Sequence, residues 1–363
     1  MRDSSRLWRV YVLPAAVFQS VVIGGGYGTG REIVEYFTRF GAAGGLFGLV
    51  TVMACLAVLM AMSYEFARQY KAYDYRRFFR ELLGPGWIAF EILYLVMFAL
   101  VLAVIAAAAG KLFQDRAHIP GVLGISLLLL LVIVLVFFGR QWVTRMLAFK
   151  AALLSAVFVV YFFVIASSAT PAIIAELRRM EILRGWVGGA LHYTLYSSVV
   201  IPAMLFATAA IRTRREAFIS GAISATCGMI PGILLQLSFA AGYPAVLHQA
   251  IPAYWMIAGL SIRALTAAYL VVLFGCLLDT GLCFIQSVNE RVDGWRLETH
   301  RPPLSRAARV CVAIACAVAS GGLSLFGVVR LIAQGYGTMA WGFLVLYVAP
   351  IMTIGVRRLT HPQ

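Results

Sequence analysis

Five of the seven residues in Gly24-Gly25-Gly26-Tyr27-Gly28-Thr29-Gly30 are glycine, and the run stands in the middle of the first apolar stretch of the chain. An interior glycine costs a helix about 1 kcal/mol relative to alanine, so a continuous helix is unfavourable there. Inside a bilayer, unwound backbone persists only where it is buried in protein or lines a polar cavity, since each unsatisfied group costs several kcal/mol. The run is therefore a candidate site built from main chain. A small-residue packing face is the alternative, because Gly24 to Gly28 and Gly26 to Gly30 both have GxxxG spacing. Arg31, Glu32 and Glu35 follow at once, and charges at such depth seldom face lipid.

A second, weaker interruption reads His192-Tyr193-Thr194-Leu195-Tyr196-Ser197-Ser198-Val199-Val200-Ile201-Pro202. Pro202 has no amide hydrogen and disfavours helix at the residue before it, while Ser197 and Ser198 can bond freed backbone groups. A plain proline kink is the competing account. Two facing broken helices would point exposed N–H groups at an anion and carbonyl ends at a cation, and an amino acid carries both charges. Asp279 lies deep in another apolar stretch, where an unpaired carboxylate costs about 2.5–3.5 kcal/mol, and Lys150 is a candidate partner. If they pair, an ammonium fills the place of a cation; if Lys150 instead reaches the membrane surface, Asp279 is open to a sodium ion or to a neighbouring hydroxyl. Glu91 is either solvated or part of a proton relay, Tyr94 is either a pocket wall or packing, and His192 either titrates near neutrality or bonds nearby backbone. Gln236 and Gln334 are candidates for interhelical hydrogen bonds.

These residues need long apolar elements to hold them. Of 363 residues, 62% are hydrophobic and 12% charged, which excludes a water-soluble core with a polar surface. At about 20 apolar residues per crossing, spans are expected near 9–40 (interrupted), 44–68, 84–110, 119–138, 144–168, 185–211 (interrupted), 215–241, 262–290, 306–327 and 330–354. Placing the amino terminus in the cytoplasm puts 21 of the 30 Lys and Arg residues in cytoplasmic segments (1–9, 68–80, 140–150, 212–215, 291–309 and 357–358), the distribution the positive-inside rule favours. The net charge of +15 thus concerns orientation and not nucleic acid. Both termini are expected inside a multi-pass cell-membrane protein whose first helix is not cleaved.

The fold class expected is all-α integral membrane with ten transmembrane helices. Cut near 175, it gives two five-helix halves, 1–175 and 176–363, each opening on an interrupted helix. Because five is odd, the halves enter the membrane from opposite sides, the inverted repeat of many secondary transporters. The six cysteines lie in apolar runs without the loop spacing of a disulfide or zinc framework. The loop 243–260 carries too much proline for one long helix and reads as a short external re-entrant segment or lid.

The string GGGYGTGREIVEYF resembles the first-helix signature of the YkvI-type family of amino-acid permeases, in the amino acid–polyamine–organocation superfamily with the LeuT-type five-plus-five fold. The resemblance is specific over 20–40 and looser at Ala250 to Pro252 and Leu331 to Gly337. It implies that backbone at Gly24, Gly25, Gly26, Tyr27 and Gly28 holds a substrate carboxylate, faced by Tyr193, Tyr196, Ser197 and Ser198, with Tyr94 as a wall. Where the family has a Tyr-Asn pair this chain has Tyr196-Ser197, so a hydroxyl replaces an amide. It further implies an ion-coupling place at Asp279, Thr280 and Lys150, with a sodium ion near Gly24, Asp279 and Thr280, or a proton if Lys150 takes that place. Arg31 matches an outer-gate arginine; residues 330–354 contain no Asp or Glu to pair with it, leaving Glu32 or Glu35.

The function expected is secondary active transport of a small amino acid or related amine or zwitterion, with the lipid bilayer and a small-molecule substrate as partners and no resident cofactor. The alternative is a ligand-sensing subunit resembling spore-germinant receptors, which binds without transport. No HExxH motif or nucleophile–base pairing points to an enzyme.

Overall fold

The apolar stretches are helical throughout the computed structural model, and no strand occurs among the described residues. The structure describes residues 6–117, 119–138 and 140–360, apart from the side chains at 25, 116–117, 138, 140–155 and 297–298. The elements are α1 (Leu13–Val22), α2 (Arg31–Tyr36), α3 (Ala42–Tyr70), α4 (Tyr75–Leu83), α5 (Trp87–Ala117), α6 (Gly121–Phe138), α7 (Arg140–Arg178), α8 (Trp186–Ser197), α9 (Arg214–Ala240), α10 (Pro252–Gly259), α11 (Arg263–Glu298), α12 (Arg306–Ser324) and a last long helix α13 (Val328–Thr360). Among the described residues, seven helical stretches are long and apolar enough to cross a membrane, those holding α3, α4 with α5, α7, α9, α11, α12 and α13; Trp8–Val22 and Gly121–Phe137 are apolar but shorter. The chain is a multi-pass membrane protein.

Local sequence sets the ends of these helices. Thr213 and Glu216 form a reciprocal capping box at α9, Ser305 accepts from Ala308 N at 3.2 Å at α12, and Asp74 accepts from Arg76 N at 3.2 Å at α4. Helix α4 falls between two expected spans, in the segment expected only as a basic loop. Its spacing is amphipathic: Phe78, Phe79 and Leu82 are buried, while Arg77 and Arg80 are exposed. Helix α13 contains three wide π-helical turns, Leu331–Tyr336, Leu344–Val348 and Ile351–Gly355.

Five of the six basic segments meet on one face, and the side chains of the sixth, 140–150, lie outside those described. Arg6 pairs with Glu216, Arg68 donates to Arg212 O at 3.3 Å, Arg76 to Arg291 O at 3.0 Å, and Arg358 to Glu81 O. This face carries both ends of the described chain and is called the terminal face below. The broadest helix packing joins α3 to α9, where Gly221 approaches so closely that a Cβ would stand 2.6 Å from Ala61 N. Gln236 ties the pair together, accepting from Thr38 Oγ1 at 2.6 Å and donating to Ala42 O at 3.2 Å. Gln334 stays on its own helix, accepting from Arg330 at 3.2 Å. The six cysteines form no disulfide.

Candidate functional site

Helix α1 stops at Val22, and Gly24 N turns back to Val22 O at 2.8 Å. A single turn, Gly25–Gly28, follows, and α2 begins only after Gly30, whose φ of +79° is the left-handed conformation that favours glycine. A Cβ there would also stand 2.5 Å from Phe239 Cζ. The freed backbone groups find distant partners: Tyr269 Oη donates to Gly28 O at 2.8 Å, and Ala253 N donates to Thr29 O at 3.1 Å. The proline-rich segment 243–260 is therefore folded onto the break, as the 3-10 turn Ala245–His248 and α10. Tyr27 points away from the opening and donates to Gly228 O at 3.2 Å on α9.

The second break follows α8. Helix gives way at Ser198 and Val199, resumes for Val200–Ala203, and tightens to a 3-10 turn at Leu205–Thr208. The Ser197 hydroxyl donates to Tyr193 O and that of Ser198 to Leu195 O, both at 2.6 Å, so each serine serves the backbone of the turn before it.

Between the two breaks lies a cavity of about 300 Å³. Gly24 and Gly26 form one side, Ser197, Val200 and Ala203 another, and Thr280, Cys283 and Ser287 of α11 a third. Its aromatic walls are Tyr94 and Phe98 of α5, Tyr193 and Tyr196 of α8, Phe284 and Tyr336. Among the described residues, the one charged residue lining it is Glu32. Glu32 is 7% exposed, folds back over Gly26, where any Cβ would overlap its Oε1, and accepts a 2.6 Å hydrogen bond from Tyr196 Oη. No Lys, Arg or His among the described residues pairs with it or lines the cavity.

A layer of tyrosines closes the cavity on the side away from the terminal face. Tyr36 packs on Tyr193 and Tyr196 with ring centroids 5.8 and 5.3 Å apart, Tyr196 packs on Tyr336 at 4.9 Å, and Tyr36 Oη donates to Ile332 O at 3.0 Å. Beyond this layer a vestibule of about 640 Å³ is lined by Glu35, Arg39, Arg184, His192, Gln334 and Trp341, among others. His192 bonds Gly188 O at 2.9 Å and meets the Trp341 ring edge-on. In the other direction the lining runs through Ser20, Val21, Ala203 and Phe206, down the half-helices that lead to Arg6 and Arg212.

The residues singled out by sequence separate into three groups. Gly24, Gly26, Glu32, Tyr94, Tyr193, Tyr196, Ser197 and Thr280 share the cavity. Tyr27, Gly28, Ser198 and Asp279 do not line it, and Gly25 lies outside the residues so described. Lys150 lies outside the residues whose side chains are described. Arg31 pairs with Glu35 at 2.7 Å and not with Glu32, and its other nitrogen donates to Leu247 O at 2.8 Å and Gln249 O at 3.1 Å. Thr280 stands against Gly24, 3.7 Å from where a Cβ would be, and Asp279 beside it on α11 is 8% exposed.

Arg291 is the residue the sequence hid. It looked like one more loop cation, but α11 continues to Glu298 and buries Arg291 to 8% exposure. There it pairs with Glu91 at 2.9 Å, donates to Tyr75 Oη at 2.9 Å, and lies over the rings of Tyr94 and Phe98 at 4.4 and 4.8 Å. The spacing Phe284, Ser287, Arg291 on one helical face was the available signal.

No family model matches the chain. It is 27% identical over 194 residues to the uncharacterized membrane protein YkvI of Bacillus subtilis (strain 168), a match covering 52% of this chain and 55% of that protein, so the matched stretch spans about half the length of that relative. Its structure is similar to MhsT in complex with L-phenylalanine (TM-score 0.61, 14% identity, 96% of each chain). It is also similar to a substrate-bound Na⁺-coupled sialic acid symporter (TM-score 0.59, 15% identity, 94% of this chain and 78% of that one). A third is the Eremococcus coleocola manganese transporter in complex with an aromatic bis-isothiourea compound (TM-score 0.59, 14% identity, 97% and 80%). The likeness over nearly the whole chain establishes the LeuT-type fold.

Proposed function

We propose that this LeuT-fold membrane protein, similar over half its length to YkvI, is a secondary transporter of a small amino acid or related amine or zwitterion. It works by alternating access, driven by a proton or sodium gradient. The observation that carries this reading is the cavity of about 300 Å³ at the junction of two helix breaks, shut on one side by tyrosines with a vestibule beyond. Ligand sites lined by aromatics with few polar groups fit small solutes, and discontinuous helices are where transporters of inverted-repeat design bind them. The ligands named for the similar structures, an amino acid, a sialic acid and manganese, differ so much that the fold alone does not select one. That the named neighbours are transporters supports transport in place of catalysis.

In this reading the chain has ten spans. Residues 1–175 contribute α1 with α2, α3, α5, α6 and α7; residues 176–363 contribute α8 with its continuation, α9, α11, α12 and α13, as an inverted repeat. The terminal face is cytoplasmic and the membrane is the cell membrane. The tyrosine layer is the outer gate, clamped by Arg31 and Glu35 against the 243–260 segment. Thr280 against Gly24, with buried Asp279 beside it, supports an ion-coupling role for this corner.

Purified protein reconstituted in liposomes on a solid-supported membrane tests the reading. An amino-acid and amine panel should give substrate-dependent currents under a proton or a sodium gradient, and Asp279→Asn should abolish their ion dependence. Absence of any current or uptake under either gradient, with ligand binding intact, would overturn transport and leave a sensor.

A further inference from the structure

We infer that the solute held at this cavity is an organic cation without a free carboxylate, with Glu32 as its counter-charge, and that the solute and a proton compete for that carboxylate. The inference rests on the transport reading for its physiology, but not for its chemistry. The similar fold lends its first break to a ligand carboxylate in the expectation stated from sequence; here that ground is taken. Glu32 lies on Gly26 so tightly that a Cβ would overlap it, and a second carboxylate brought to Gly24–Gly26 would meet a like charge in a buried site.

The charges around the cavity are otherwise spoken for. Arg31 is held by Glu35 and two loop carbonyls. Arg39 also pairs with Glu35. Arg291 is paired with Glu91 and lies over Tyr94 and Phe98, both cavity-lining rings. No cationic side chain among the described residues lines the cavity to receive a carboxylate. Among the described residues the cavity offers one carboxylate and seven aromatic rings, Tyr94, Phe98, Tyr193, Tyr196, Phe206, Phe284 and Tyr336. That is the recognition chemistry of an alkylammonium: a charge-assisted hydrogen bond to Glu32 and ring faces for the rest. A bare metal ion is a poorer match, because a divalent cation takes about six oxygen ligands, and no group of three or more His, Cys, Asp or Glu suited to a metal occurs among the described residues.

The groups facing Glu32 define its titration. Tyr27 and Tyr36 come from its own segment, Tyr193 and Tyr196 from α8 and Tyr336 from α13, with the cavity-lining Tyr94 on α5 and Cys283 on α11. The tyrosines are neutral near pH 7. Since no cation among the described side chains faces Glu32, its neutralisation falls to a proton or a bound cation, and since one excludes the other, the coupling is exchange.

The test uses the full-length protein in detergent and matched pairs of 2-phenylethylamine with phenylalanine, isobutylamine with valine, and putrescine with ornithine, by calorimetry and thermal shift between pH 5.5 and 8.5. At least one amine should bind at least tenfold tighter than its parent amino acid. Its affinity should rise with pH, by at most about tenfold per unit, because deprotonation frees the carboxylate. Glu32→Gln should weaken amine binding by about 30-fold or more and flatten the pH profile, while Glu32→Asp should keep a pH-dependent signal, so loss of folding in one variant is recognised. Parent amino acids binding as well as the amines, sodium chloride alone giving a Glu32-dependent shift, amine affinity unchanged in Glu32→Gln, or no amine binding at all would each overturn the inference. Amino-acid transport with no amine binding would end this inference and leave the transport reading standing; amine binding without any flux would do the reverse.

Discussion

Two buried charges flank the same wall of tyrosine and phenylalanine. Arg291 lies under Tyr94 and Phe98, with Glu91 at 2.9 Å and Tyr75 closing the cluster. Glu32 lies across the cavity those rings line, with a phenol as its hydrogen-bond partner. Both are less than a tenth exposed, so burial alone does not distinguish them. Compensation does. A buried ion pair is self-sufficient, and removing one partner strands the other at a cost of about 3–5 kcal/mol. A buried carboxylate without a cation, opening onto space, is destabilising until something fills that space. The first arrangement is scaffold; the second is the receptor inferred above.

The largest effect tests the scaffold half. Arg291→Ala, which strands Glu91, should lower unfolding stability by about 3–5 kcal/mol in a denaturation series, and adding Glu91→Gln should recover part of it; independence of the two changes would break the pairing. Next, Gly30→Ala should cost about 1–3 kcal/mol, because it combines a φ of +79° with the Phe239 contact. Gly26→Ala should displace Glu32 and abolish amine binding measured by calorimetry, whereas the same change at Gly337, with open space around it, should leave binding intact. Glu32→Gln should have the opposite sign to Arg291→Ala: stability of the ligand-free protein unchanged or raised by about 1 kcal/mol, as an uncompensated charge leaves the interior. A loss as large as that of Arg291→Ala would mean Glu32 is scaffold too. The smallest effect belongs to Arg6→Ala, where a pair with one partner 41% exposed should contribute less than about 1 kcal/mol.

Much of this was legible in the sequence. The glycine run marked where α1 stops, Pro202 and the two serines marked the second discontinuity, and the basic clusters assigned segments to one face. What sequence left undecided were rotations. Arg31 and Glu32 are adjacent, so about 100° of helix separates them, and one reaches the 243–260 segment while the other enters the cavity. Asp279 and Thr280 divide the same way, as do Ser197 and Ser198. Spacing names the turn on which a residue sits, but which side of α2, α8 or α11 faces inward is set by tertiary packing, such as Tyr27 on Gly228 or Ala253 on Thr29. Arg291 was missed for another reason: the positive-inside count treats every basic residue beyond a span as a surface charge, and α11 outruns its apolar stretch.

The phenol of Tyr196 belongs to two structures at once, a ring in the layer that shuts off the vestibule and the hydrogen-bond donor to Glu32. Opening the layer means pulling that phenol from the carboxylate. The pull is hardest when Glu32 is bare, since a hydrogen bond to an ion is worth about 1.5–3 kcal/mol against about 1 for a neutral pair. In the transport reading proposed above, an empty, charged carrier is thus latched, and a carrier neutralised by cargo or proton is released. In that reading the latch guards against slippage, the idle return of an unloaded carrier that would dissipate the gradient driving it.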